Sequence, residues 1–220
     1  MRRSAPLFAA AVMAGCAPAL RAVAPAGVPS PGDAEAAAAE VHALARQAEA
    51  ETSASRRARL SEQAVAAGQR CERAAPGSPP CEYALAIALG LQARERPTTV
   101  REGLAQMVAR LRRASAADPA LDHAGPDRVL ALLLLRAPGW PLGPGDPEEG
   151  LAAARRAVAL SPGYAPNQLA LAEALRANGD AAGAREAVQR ALTLAEAAYA
   201  AGEADGAGWL REARRLADAP

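Results

Sequence analysis

Apolar positions along this chain recur at spacings of three and four. Val41, Leu44, Ala45 and Ala48 set the rhythm, and Leu60, Ala64, Val65 and Gly68 resume it after a polar break at Thr52-Ser53. Val100, Leu104, Met107, Val108 and Leu111 continue it behind Thr99-Val100-Arg101-Glu102, a capping-box sequence. This period keeps one face of a helix apolar. Further helices are predicted around Tyr83, Ile87 and Leu91, over the apolar run 129–135, and from Asp146-Pro147 to Ser161-Pro162. Others flank Asn178-Gly179-Asp180, and Trp209, Leu210, Ala213 and Leu216 mark a last amphipathic one. Nothing alternates polar and apolar over a useful length, and Ile87 is the one isoleucine, so the expected fold class is all-α.

A longer period lies on top of the helical one. Gly150, Ala154, Ala157 and Pro162 are answered 34 residues later by Ala184, Val188, Ala191 and Glu196, with only the closing proline lost. Short side chains at those offsets let helices approach closely while Leu151, Leu160, Leu171 and Leu175 fill between them. Two weaker copies with the same internal offsets lie upstream, Met107, Leu111, Ala114 and Pro119, and Ala64, Gly68, Cys71 and Pro76, and their closing prolines Pro76, Pro119 and Pro162 fall 43 residues apart. An arginine precedes the third member of each set (Arg70, Arg113, Arg156, Arg190) and reads as an outward residue beside a buried small one. The expected architecture is an array of about four helical hairpins with a C-terminal capping helix, one domain over 33–220.

Residues 1–15 have the charged start, short apolar core and small-residue exit of an export signal, too short to span a bilayer permanently. The ending Val12-Met13-Ala14-Gly15-Cys16 resembles a bacterial lipobox, with Met13 in place of the usual leucine; the resemblance implies acylation at Cys16. Ala17 is not the aspartate that favours inner-membrane retention in such lipoproteins, which implies an outer-membrane anchor facing the periplasm. Residues 16–32 carry four prolines among Ala, Gly and Val and read as a tether of at most about 50 Å.

Composition narrows the chemistry. All 25 basic side chains are arginine, and the net charge of +1 falls to near −1 without Arg2 and Arg3, which gives no basic patch for nucleic acid. His42 has no ligand set near it in sequence. Asp118, Asp122, His123 and Asp127 crowd one connection and read as a polar turn capping the next helix rather than as a metal site. Cys71 and Cys81 flank a Pro-Gly-Ser-Pro-Pro turn, so antiparallel packing would bring them together, as a disulfide in an oxidising compartment or as two packed thiols otherwise. No nucleophile elbow, zinc-type cluster or framed carboxylate pair is present, so neither catalysis nor a cofactor is expected.

The least ordinary segment is 136–145, Arg-Ala-Pro-Gly-Trp-Pro-Leu-Gly-Pro-Gly. It follows a helix, and its prolines remove backbone donors, so it is not a phosphate loop. Arg136, Trp140 and Leu142 are its candidate partner-binding residues. Two readings of Trp140 stay open: an indole folded back as a plug between repeats, or an interface anchor.

The 34-residue period, the small-residue offsets, the Gly-Asp turns and the Asp/Ser-Pro endings resemble the tetratricopeptide (TPR) superfamily of binding scaffolds, most clearly over 146–195. The carboxylate clamp of many TPR proteins is not matched, because Leu169, Glu173 and Arg176 stand where its asparagines and lysines would be. A lipobox, a tether and irregular helical repeats, with the Ala-Pro-Gly-Trp-Pro loop, also resemble the T component of TRAP transporters. That resemblance implies a lipoprotein that associates with a periplasmic substrate-binding protein. The competing expectation is a general TPR scaffold in envelope assembly or secretion, and the neighbouring genes would separate the two.

Overall fold

The computed structural model describes residues 30–95 and 100–218, all helices and connections. The elements are α1 (Pro31–Ala50), α2 (Ala54–Ala74), α3 (Pro79–Glu95), α4 (Val100–Ala117), α5 (Leu121–Arg136), α6 (Pro147–Leu160), α7 (Ala165–Ala177), α8 (Ala181–Ala200) and α9 (Gly206–Asp218). Cys16, the 1–15 segment and Thr99 lie outside the described residues.

Successive helices pair as hairpins, α1 with α2, α3 with α4, α5 with α6 and α7 with α8, and α9 closes the end against α8. Odd-numbered helices also meet one another along the array, whereas even-numbered ones do not. The odd helices therefore form the inner, concave row.

Local chemistry sets the helix ends. Ser30 and Asp33 form a reciprocal capping box, so α1 opens at Pro31, two residues before the expected domain start at Asp33. Asp146 accepts from the Glu148 and Glu149 amides at the head of α6, and Asp180 from Gly183 at the head of α8. Gly179, at φ +82°, supplies the left-handed residue that turns α7 into α8.

The small-residue positions are where the helices touch. Ala64, Cys71, Leu111, Ala114, Ala154, Ala157 and Ala191 are fully buried, with Met107, Ala184 and Val188 nearly so. A Cβ on Gly68 would lie 3.1 Å from the Leu85 Cα, and one on Gly150 would lie 3.1 Å from the Leu135 Cγ. Cys71, in the last turn of α2, and Cys81, in the first turn of α3, are joined in a disulfide with Cα atoms 5.2 Å apart, which links the first two hairpins.

The repeated arginines are more than outward neighbours. Arg70 of α2 pairs with Glu40 of α1 (2.6 Å), Arg113 of α4 with Glu82 of α3 (3.0 Å) and Arg156 of α6 with Asp127 of α5 (2.7 Å). In three hairpins the second helix thus reaches back to a carboxylate on the first. At Glu82 and Asp127 the arginine stays half-exposed and still ends on a buried acid, whereas the Arg70–Glu40 pair is exposed on both sides.

Candidate functional site

Asp122, His123 and Ala124 have φ/ψ of 49/50, 55/46 and 62/35, a single left-handed turn built without glycine. Such backbone costs about 1–2 kcal/mol per residue, so it persists only where neighbours hold it. The right-handed part of α5 follows, with Pro126 in its first turn, where a missing N–H is tolerated.

Two buried polar residues do the holding. Arg128 donates through Nη1 to the carbonyls of Asp122 (3.2 Å) and His123 (3.4 Å) and to Asn167 Oδ1 (3.1 Å). Its Nη2 donates to the Asp122 carboxylate at 2.9 Å. Asn167, fully buried on α7, donates to the carbonyls of His123 (2.9 Å), Ala157 (3.0 Å) and Ser161 (3.1 Å). The Tyr83 hydroxyl donates to the same Asp122 carboxylate at 2.8 Å. One network therefore ties α3, the left-handed turn, α5, α6 and α7 together.

Rings extend this network along the inner row. His42 of α1 packs on Tyr83 with centroids 5.4 Å apart, His123 stacks on Tyr164 at 4.4 Å, Trp209 of α9 meets Tyr164 at 5.1 Å, and the Arg128 guanidinium lies over Tyr164 at 5.0 Å. Burial raises the Tyr83 and Tyr164 phenols above the usual tyrosine range, and burial lowers the His42 imidazole below the usual histidine range. The phenols stay neutral and His42 is uncharged at neutral pH.

Of these residues His42, Tyr83, Asp122, Arg128 and Tyr164, joined by Asp205, form the polar end of a concave cleft of about 610 Å³. Ile87, Leu91, Leu104, Met107, Val129 and Leu132 line its apolar remainder, and Arg46, Glu49 and Arg94 stand at its edge. Such a cleft binds by apolar contact along its length and by hydrogen bonds at its polar end. Among the described residues no group of three His, Cys, Asp or Glu side chains is placed to hold a metal ion.

The connection around residue 122 thus corrects a sequence expectation. No side chain of the set caps α5, whose first residue follows Ala120 without a side-chain cap. Asp127 is buried, bound by Ser115 Oγ (2.9 Å) and Arg156, and Asp122 faces the cleft. The sequence analysis used Tyr83 only to place a helix and gave no site role to it, Arg128, Tyr164 or Asn167. The available signal was Asn167 itself, an amide that with Gln168 opens a helix whose other buried residues are all Ala and Leu.

Beside the cleft, 137–146 folds as a compact loop. Gly145 N–H donates to the Pro138 carbonyl (2.9 Å), Leu142 and Gly143 donate to Gly139, and Asp146 donates to Leu134 of α5. A Cβ on Gly143 would lie 2.6 Å from the Pro138 oxygen, which explains a glycine there. Trp140 is 90% exposed and Leu142 71%, the two most exposed large apolar side chains among the described residues. Trp140 is not a plug between repeats. Arg136 reaches the cleft edge, but its guanidinium is engaged by Glu173 in a two-pronged pair at 2.7 and 3.0 Å.

Comparison adds nothing to this geometry. The chain matches no protein-family model and no curated protein. Among the described residues no helix is long and apolar enough to cross a membrane.

Proposed function

We propose that the chain is a non-catalytic adaptor, anchored through lipidated Cys16 at the periplasmic face of a bacterial membrane, that docks an exported partner protein on the 140–142 loop. The observation that carries this is Trp140 and Leu142 standing exposed on a loop braced by its own backbone hydrogen bonds. A large apolar ring on an ordered support loses little entropy when a partner covers it. The resemblance to the TRAP T component favours a substrate-binding protein as that partner, and the adjoining cleft would then face the docked protein.

A diazirine leucine analogue at position 142 of the membrane-bound protein, which leaves Trp140 in place and keeps the apolar bulk of Leu142, tests the docking. Capture of a periplasmic substrate-binding protein is the expected result, and capture of an envelope-assembly component would favour the general scaffold. With no specific adduct, the loop is not a docking site. Anchoring is checked by Cys16→Ser, which should move the protein from the membrane to the soluble fraction; retention in the membrane would contradict it.

A further inference from the structure

The charges that line the cleft of about 610 Å³ balance one another. Arg128 is answered by Asp122 at 2.9 Å and Arg136 by Glu173 at 2.7 Å. Arg46 and Arg94 are exposed at the edge and are matched in number by Glu49 and Asp205, which are exposed as well. No lining charge is therefore in excess. An ion entering the apolar part would lose its water and find no net countercharge, a cost that an uncharged molecule avoids.

The hydrogen-bonding groups left over are neutral ones. Among the described residues neither the His42 imidazole nor the Tyr164 hydroxyl has a hydrogen-bond partner, and neither is sealed from solvent. Burial holds both uncharged at neutral pH. A neutral imidazole offers one N–H donor and one bare acceptor nitrogen, and a hydroxyl, which both donates and accepts, can pair with either. Leu132 lines the same cleft half-buried and packs in none of the core clusters, so its apolar surface is turned to the cleft. The volume lies within the range of small-molecule sites, about 300–1,000 Å³.

We propose that this cleft binds an uncharged aliphatic alcohol, its chain against Ile87, Leu91, Met107 and Leu132 and its hydroxyl on His42. The site does not depend on the 140–142 loop and stands whether or not that loop docks a partner.

Ile87 is the one isoleucine of the chain and lines the cleft, so a carbon-13 label in the isoleucine δ1 methyl gives a single resonance that reports this place. Octanol, octanoate and octylammonium share a chain and differ in charge. Each is titrated at pH 7 into the labelled full-length Cys16→Ser protein, where no acyl group on residue 16 can compete for the cleft. The expected result is a saturable shift with octanol and binding about tenfold weaker for both ions. His42→Phe keeps a ring on Tyr83 and removes both nitrogens; it should weaken octanol about fivefold, the equivalent of one hydrogen bond of about 1 kcal/mol. Leu132→Trp, which fills the cleft from a position outside the core clusters, should abolish the shift, with circular dichroism of both variants showing the helices intact. The proposal is overturned by the absence of a saturable shift up to the solubility of octanol, by either ion binding as tightly as octanol, by an unchanged affinity in His42→Phe, or by binding retained in Leu132→Trp. Tighter binding of octanoate in particular would assign the cleft to an acid held by Arg46 and Arg94.

Discussion

Glu82 brings a carboxylate to the boundary of the second hairpin with only 5% of its side chain exposed. Burial alone would raise its pKa, but hydrogen bonds from Arg113 and Arg110 outweigh it and hold the carboxyl below the usual glutamate range. A depressed folded value means that Glu82 contributes stability above its unfolded pKa of about 4.3, and that the contribution disappears as pH falls through the folded value. Arg113 is half-exposed, which screens the pairing. Glu82→Gln should therefore cost about 1–2 kcal/mol at pH 7, and urea unfolding at pH 7, 5, 4 and 3 should show that difference closing toward zero at the acid end. A difference constant with pH would show that the ion pairs are not its cause. His42 acts in a higher window: its folded pKa is lowered, so stability falls as pH drops below about 6.5. At this scale the sequence was partly legible. The period placed Arg70, Arg113 and Arg156 correctly along their helices but could not show their partners, because Glu40, Glu82 and Asp127 lie 29 to 31 residues away on another helix.

Among the elements, close approach and strain divide the work. Gly68 and Gly103 are both helical glycines, and alanine is favoured over glycine in a helix by about 1 kcal/mol. Among the described residues nothing lies within 4 Å of a Cβ on Gly103, whereas one on Gly68 would crowd the Leu85 backbone. Gly103→Ala should thus raise stability by about 0.5–1 kcal/mol, while Gly68→Ala should lower it by about 1–3 kcal/mol through overpacking. Thermal denaturation of the two variants checks the pair, and equal shifts would deny that α2 and α3 meet through this glycine. The small-residue stripe was readable because helix crossing demands it at fixed offsets. The left-handed turn at 122–124 was not, since Asp and His only modestly favour that backbone region and Ala124 does not favour it at all. Its stability comes from Arg128 folding back from the next turn of α5 and from Asn167, which lies more than 40 residues away on α7, and the polar end of the cleft was hidden with it.

For the whole molecule, hairpins stacked with the odd helices inward give a concave row that gathers five rings in a chain with 3% aromatic residues. The fold class and the hairpin array followed from periodicity; the cleft did not, because it arises from the curvature of the stack. Trp140 stands outside this ring network on the loop beside the cleft, which makes its role separable from folding. Trp140→Ala in the membrane-anchored protein is the most direct measurement, read both as melting temperature and as recovery of the crosslinked or co-purified partner. The docking account predicts a melting temperature changed by no more than the effect of about 0.5 kcal/mol typical of surface sites, together with loss of the partner. A clear drop in melting temperature, or a partner retained at wild-type level, would contradict it.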